Sequence, residues 1–256
     1  MSVGKLYDVL VRFESRKHRT SYPVHKRLKA PYTENWLVEW ITKGIRLQPG
    51  TRVLDAGCGT GHTLLQLAGS QPIEGIGISL SKEEINVAMA NKTADTHVQF
   101  LEQSYDAPLP GTFDLIIACE SLRHSPDLKS TLNHWLEALA PGGKLIITDD
   151  FLEDEGDLTR GLIQHQKDWQ APQLLSENRL DSILPYTVSQ FIENFTTAVP
   201  TRSKIQLSWM IFFLQFGRAF TWGRTRQLLN IYIGGLLLEL GYVRKKLKYL
   251  GLIISK

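Results

Sequence analysis

"VLDAGCGTGHTLLQLA", residues Val53 to Ala68, sets an apolar run carrying Asp55 before a turn that holds Gly57, Gly59 and Gly61, with an amphipathic run after it. Glycine at an element junction costs conformational entropy, so three in five residues mark a place where steric room is needed. The helix that follows points its unpaired N–H groups back at this turn. Dinucleotide sites share such a Gly-rich strand-to-helix turn, but three features point away from them. The spacing is G-x-G-x-G rather than G-x-G-x-x-G. Asp55 would repel phosphates yet engage an ammonium, and His62 rather than a lysine follows the last glycine. A ligand carrying a cationic amino-acid moiety fits better.

Outward from that turn, short apolar runs alternate with helical patterns between residues 51 and 151. "RVLDAG", "IEGIGIS", "HVQFLEQ", "FDLIIACE" and "KLIITDDF" read as buried strands, each bounded by Gly, Pro or Asp. "HTLLQLA", "SKEEINVAMAN" and "SPDLKSTLNHWLEALA" read as helices. In the last, Leu128, Leu132, Trp135, Leu136 and Leu139 share one face; Ser125 is expected as its N-cap, Pro126 in its first turn, and "PGG" at 141–143 as its stop. The alternation implies an α/β fold with a parallel sheet covered by helices on both faces, and ligands beyond the carboxyl ends of the strands. "SQFIENF" and "KYLGLIISK" read as further strands, and residues 200–245 as helices rich in Phe, Trp, Leu and Ile.

The segment "VLDAGCGTG" resembles motif I of class I S-adenosylmethionine-dependent methyltransferases. The likeness runs in order through "GIGISLSKEEINVA", "FDLIIACESLRHSPD" and "LAPGGKLIITDDF", and it is closest to enzymes acting on natural products, sterols and sugars. It implies a Rossmann-like, mostly parallel seven-stranded sheet with a helical lid. The implied division is a lid over residues 1–50, a core of 51–199 and 246–256, and a substrate cap of 200–245 inserted before the last strand. S-adenosylmethionine is the implied cofactor. Gly57, Gly59 and Gly61 would let the backbone pass under it, with Asp55 near its amino group. Ser79 and Leu80 end the second strand where the family often has an acidic residue, and Glu84 is near enough to assist. Ser104 stands where the family often has aspartate, followed by Tyr105 and Asp106, and Glu120 would face the sulfonium or the methionine amine.

The likeness also implies where methyl transfer would take place. His124, in E-S-x-x-H-x-P-D, occupies the place of a base, and its ordinary pKa near 6.5 suits that work. Asp150, in the D-F position, would polarise His124 or bind the nucleophile; Asp149 is expected on the other face by strand alternation. Arg123 replaces the first of two adjacent histidines found in some sugar-modifying relatives. A tyrosine lid including Tyr22, and Trp209 and Phe213 from the aromatic insertion, are expected to contact substrate.

Composition limits the alternatives. With 256 residues, a net charge of +3 and 43% apolar residues, the chain reads as a globular protein with no general affinity for nucleic acid. Cys58 and Cys119 show no metal-ligand spacing and read as buried, reduced thiols of a cytoplasmic protein; no secretory leader opens the chain. The basic run from Arg16 to Lys29 leaves open a solvated face, a subsite for an anion or peripheral contact with an anionic membrane. Ile205–Phe216 is only about half a bilayer-spanning length. The leading expectation is transfer to an O or C nucleophile of a lipophilic small molecule. N-methylation is the first alternative, and a non-transfer reaction such as cyclisation, or lipid binding, the second. Monomer and homodimer are both compatible with the sequence.

Overall fold

The computed structural model describes residues 2–14, 25–185 and 187–256. Seven strands form one sheet in the order β3-β2-β1-β4-β5-β7-β6. They are β1 (Arg52–Ala56), β2 (Glu74–Ser79), β3 (Val98–Glu102), β4 (Phe113–Cys119), β5 (Leu139–Leu152), β6 (Ser189–Asn194) and β7 (Leu247–Ser255). The first five are mutually parallel, and β7 runs antiparallel to both β5 and β6.

Alternate residues of the central strands feed two cores, one on each side of the sheet. Val53, Leu115, Ile117 and Ile146 pack with α2 (Trp36–Gly44), α3 (His62–Ser70) and α4 (Lys82–Asn91). Leu54, Ile116, Leu145 and Ile147 pack with α5 (Leu128–Ala138) and α7 (Glu177–Ile183). This double burial explains why the strands read as continuous apolar runs rather than alternating ones.

Two helix boundaries differ from expectation. Helix α5 starts at Leu128, capped by Asp127, whose carboxylate accepts the Ser130 N–H at 3.1 Å. Ser125 bonds Thr131 Oγ1 instead, at 2.7 Å, and so does not cap the helix. The "PGG" segment does not stop α5, which ends at Ala138; it lies inside β5, with Gly142 at φ +76°.

Among the described residues four more helices complete the fold. The first, α1 (Val3–Glu14), packs on the start of α4, and α6 (Arg160–Trp169) packs on α9 (Gly223–Val243). The aromatic insertion is α8 (Lys204–Ala219) followed by α9, placed between β6 and β7. Among the described residues no helix is long and apolar enough to cross a membrane.

Candidate active site

A cleft of ≈ 1090 Å³, part of it open to solvent, lies at the carboxyl ends of β1, β2 and β4. Asp55, Gly57 and Gly59 line it from the first turn, Ser79 and Leu80 from the end of β2, Tyr105 from the loop after β3, and Glu120 and His124 from the segment after β4. Gly61, Ser104, Asp150, Trp209 and Phe213 are not in its walls. Tyr22 lies outside the described residues.

The bare turn has two causes. Gly57 stands at φ +97°, and a Cβ there would meet Ser121 Cβ at 2.4 Å. Gly61 caps α3 at φ +77°, where a Cβ would come within 2.7 Å of Phe100. Protein packing therefore requires glycine at both positions, while the Gly57 and Gly59 backbone also faces the cleft. Beside it, Asp55 is buried, and its Oδ2 has no hydrogen-bond partner among the described residues. Burial pushes this carboxyl up to about 7. Such a group gains most from a cation brought against it.

At the end of β2, Ser79 Oγ donates to Glu84 Oε2 at 2.6 Å. Ser81 caps α4 by accepting the Glu84 N–H at 3.2 Å. Burial pushes the Glu84 carboxyl up to about 7, although the Ser79 bond acts the other way. After β3 the polar groups of Ser104, Tyr105 and Asp106 are taken up by protein partners. Ser104 Oγ donates to Asp106 Oδ2 at 3.2 Å, and the other Asp106 oxygen accepts Thr131 Oγ1 at 2.6 Å. Tyr105 is buried with its hydroxyl on the Ser121 carbonyl, 2.8 Å away.

Helix α1 closes one side of the cleft with Val3, Tyr7 and Leu10. It is fastened to the start of α4: Asp8 Oδ1 accepts from Ser81 Oγ at 2.7 Å and from the Glu83 N–H at 3.2 Å. Gly4 lets it sit this close, since a Cβ there would lie 2.2 Å from the Leu80 carbonyl oxygen.

Tyr7 reaches across to His124. Its hydroxyl lies 3.0 Å from Nε2, and Nδ1 lies 3.0 Å from the Gln170 carbonyl oxygen. A carbonyl only accepts, so Nδ1 carries the proton and Nε2 accepts from the phenol; the tautomer is assigned from this network. Gln170 presents its carbonyl from a left-handed cap of α6, at φ +52°. Burial pushes the His124 pKa down to about 4, with the Gln170 bond opposing and Arg123 adding to the fall. The ring is neutral at neutral pH.

Asp150 lies outside this arrangement. It is fully buried, bonded by the Tyr242 hydroxyl and paired with Lys26 Nζ at 3.1 Å and Arg123 at 2.8 Å. Burial raises its pKa, but Lys26 and Arg123 more than offset this and hold it well below the usual carboxylate range. Asp149 follows the strand alternation, with Leu145, Ile147 and Phe151 on one side of β5 and Ile146 and Leu152 on the other; it still meets Arg123 Nη2 at 2.6 Å, because the forked guanidinium reaches both carboxylates. Burial pushes Asp149 up to about 7 despite Arg123. Glu120 stands at φ +51° and accepts from the Lys26 N–H and the Tyr249 hydroxyl, the latter at 2.9 Å.

The sequence shows no sign of Tyr7 or Trp169, reads Lys26 only as one of the basic run from Arg16 to Lys29, and reads Arg123 only as the replacement of a histidine; in the structure Lys26 pairs with the buried Asp150. Trp169 lines the cleft from the end of α6, its Nε1 donating to the Ile231 carbonyl at 2.9 Å. His62, also in the wall, bonds Asn35 Oδ1 at 3.0 Å.

Residues 26–192 match a family model described as a methyltransferase domain. An O-methyltransferase of Pyrenophora dematioidea is 28% identical over 166 residues, covering 63% of this chain and 62% of that protein. O-methyltransferase cnsE of Penicillium expansum is 37% identical over 114 residues, 41% of each chain. The matches therefore span less than two thirds of those relatives' own lengths. Among solved structures, the [4+2]-cyclase SpnF superposes with a TM-score of 0.75 at 18% identity, over 99% of this chain and 94% of that one, which is a likeness of fold.

Proposed function

The chain belongs to the methyltransferase domain family, and from that premise we propose that it transfers the methyl group of S-adenosylmethionine to an oxygen or carbon nucleophile of a lipophilic small molecule. The observation that carries this reading is the pairing, in one cleft, of the buried Asp55 carboxyl, whose Oδ2 has no hydrogen-bond partner among the described residues, with a histidine held neutral. The residues fit the cofactor. Asp55 leaves a buried oxygen for an ammonium, the Gly57–Gly59 backbone leaves room, and the Ser79–Glu84 pair offers acceptors for a diol. When bound, S-adenosylmethionine supplies an electrophilic methyl on a cationic sulfur.

The protein's own work is alignment, exclusion of water and proton removal. Helix α1 shuts one side against solvent. His124 takes the acceptor's proton at Nε2, directly or through the Tyr7 hydroxyl it now binds, while Gln170 fixes the tautomer. Because the ring protonates only near pH 4, its lone pair is present throughout the neutral range. A lipophilic acceptor is supported by Val3, Leu10, Leu80 and Trp169 in the walls. The O-methyltransferase names of the fungal relatives support oxygen over nitrogen.

Asp55 gives this reading a pH signature. In the free protein it is half protonated near pH 7, and the ionised form is the one that attracts an ammonium. Affinity for S-adenosylhomocysteine, which keeps that ammonium, is expected to rise up to about tenfold per pH unit below 7 and to level off above it. Equilibrium dialysis at pH 6 and pH 8 checks the direction; equal affinities would remove Asp55 from the site. The reaction itself is tested by incubation with S-adenosylmethionine and a panel of phenols, quinols and terpenoid alcohols. Each methylated product must appear with an equal amount of S-adenosylhomocysteine. Conversion of an acceptor without S-adenosylhomocysteine would overturn transfer.

A further inference from the structure

Helix α8 has two faces, and the cleft uses neither. Leu207 and Ile211, with Leu214 beside them, pack on Leu236 and Leu240 of α9. On the opposite side, Trp209, the adjacent Phe212 and Phe213, Phe216 and Phe220 recur at helical spacing, all more than half exposed. Trp222, 80% exposed, continues the stripe beyond the end of the helix. Contiguous apolar surface of this kind is rarely left to water in a monomeric protein and marks an interaction site.

The surrounding charge identifies the occupant. No Asp or Glu occurs between Glu193 and Glu239. Lys204 at the start of α8 and Arg224 and Arg226 at the start of α9 are exposed, so cations flank both ends of the aromatic stripe. Of the other two cations, Arg202 is paired with Glu239 and Arg218 leans on Asn230. Aromatic side chains on one face, rimmed by Lys and Arg without acids, are the features of a helix that lies in the plane of an anionic bilayer surface. At 16 residues α8 is about 24 Å long, too short to span a bilayer and long enough to lie along one.

We propose that the α8–α9 pair docks this protein peripherally on anionic lipid bilayers, with the Trp209–Phe220 stripe entering the interface and Lys204, Arg224 and Arg226 contacting lipid headgroups. The proposal rests on this helix pair and holds whatever reaction the cleft performs. It also connects with the cleft. Helix α9 receives hydrogen bonds from Trp169 and His165 of α6 through the Ile231 and Gly234 carbonyls, each at 2.9 Å, and Trp169 is a cleft wall. The cleft wall is thus joined through α9 to the helix that carries the stripe.

The test is flotation of the full chain with vesicles of equimolar phosphatidylcholine and phosphatidylglycerol, and with phosphatidylcholine alone. Binding to the anionic vesicles is expected, with binding to the neutral ones at least tenfold weaker. Serine at Phe212, Phe216 and Phe220 together should abolish flotation while leaving the thermal melt unchanged, since these side chains are exposed. Charge reversal at Lys204, Arg224 and Arg226 should weaken binding to the anionic vesicles by about fivefold or more per residue. Absence of anionic-vesicle binding by the unmodified chain would overturn the proposal, as would equal binding to both vesicle types. A dimer that the serine variant dissolves, found without vesicle binding, would assign the stripe to a second copy of the chain and equally overturn it.

Discussion

Alanine at His124 is expected to slow transfer to a hydroxyl or acidic carbon about a hundredfold, with little change in cofactor affinity. General-base assistance contributes about a hundredfold to ten-thousandfold. The lower end applies here because burial holds the imidazole pKa near 4, which makes it a weak base that is always available. The same origin predicts a turnover profile with no His124 limb between pH 6 and 8. Phenylalanine at Tyr7 frees Nε2 from the phenol and separates the two routes: a small effect assigns direct abstraction, a loss close to that of the alanine variant assigns relay through the hydroxyl. An amine acceptor attacks without losing a proton first. A loss of only a fewfold in the His124 variant would therefore favour N-methylation over the O- or C-transfer proposed.

The other large effect falls on stability. Arg123 is buried with its guanidinium on Asp149 and Asp150, and Lys26 offsets only the second of these. Removing one partner of a buried pair leaves a charge without compensation and costs about 3–5 kcal/mol, so Arg123→Ala should lower unfolding stability by that order in urea titration. Arg123→Lys should recover only part of it, because a single ammonium cannot bridge both carboxylates. A loss below about 1 kcal/mol, the scale of a surface pair, would mean that this cluster does not hold the end of β5.

The parallel core was legible in the sequence because each strand is a short apolar run between turn residues. The glycine turn was legible because φ values near +97° and +77° leave few other residue types. Helix α6 was not legible. "RGLIQHQKDW" buries only Leu162 and His165, too few apolar residues to stand out as a helix among its polar neighbours, yet it delivers Trp169 and the Gln170 carbonyl to the site. The place of Ser79 beside Glu84 could be read from their spacing around a capping serine. The Arg123 cluster could not, because it joins β5, the segment after β4 and Lys26 through contacts distant in sequence. Trp209 and Phe213 show a different limit. Apolar residues at helical spacing fill both faces of α8, and only the fold separates the face on α9 from the face in solvent.

Hydrogen–deuterium exchange with and without S-adenosylhomocysteine tests most directly that the cleft beneath α1 is the cofactor site. The account predicts slower exchange confined to the backbone of 3–14, 53–63, 77–84 and 120–124, with α8 unchanged. Saturating ligand that leaves those segments as they were, or protects a surface elsewhere, would contradict it.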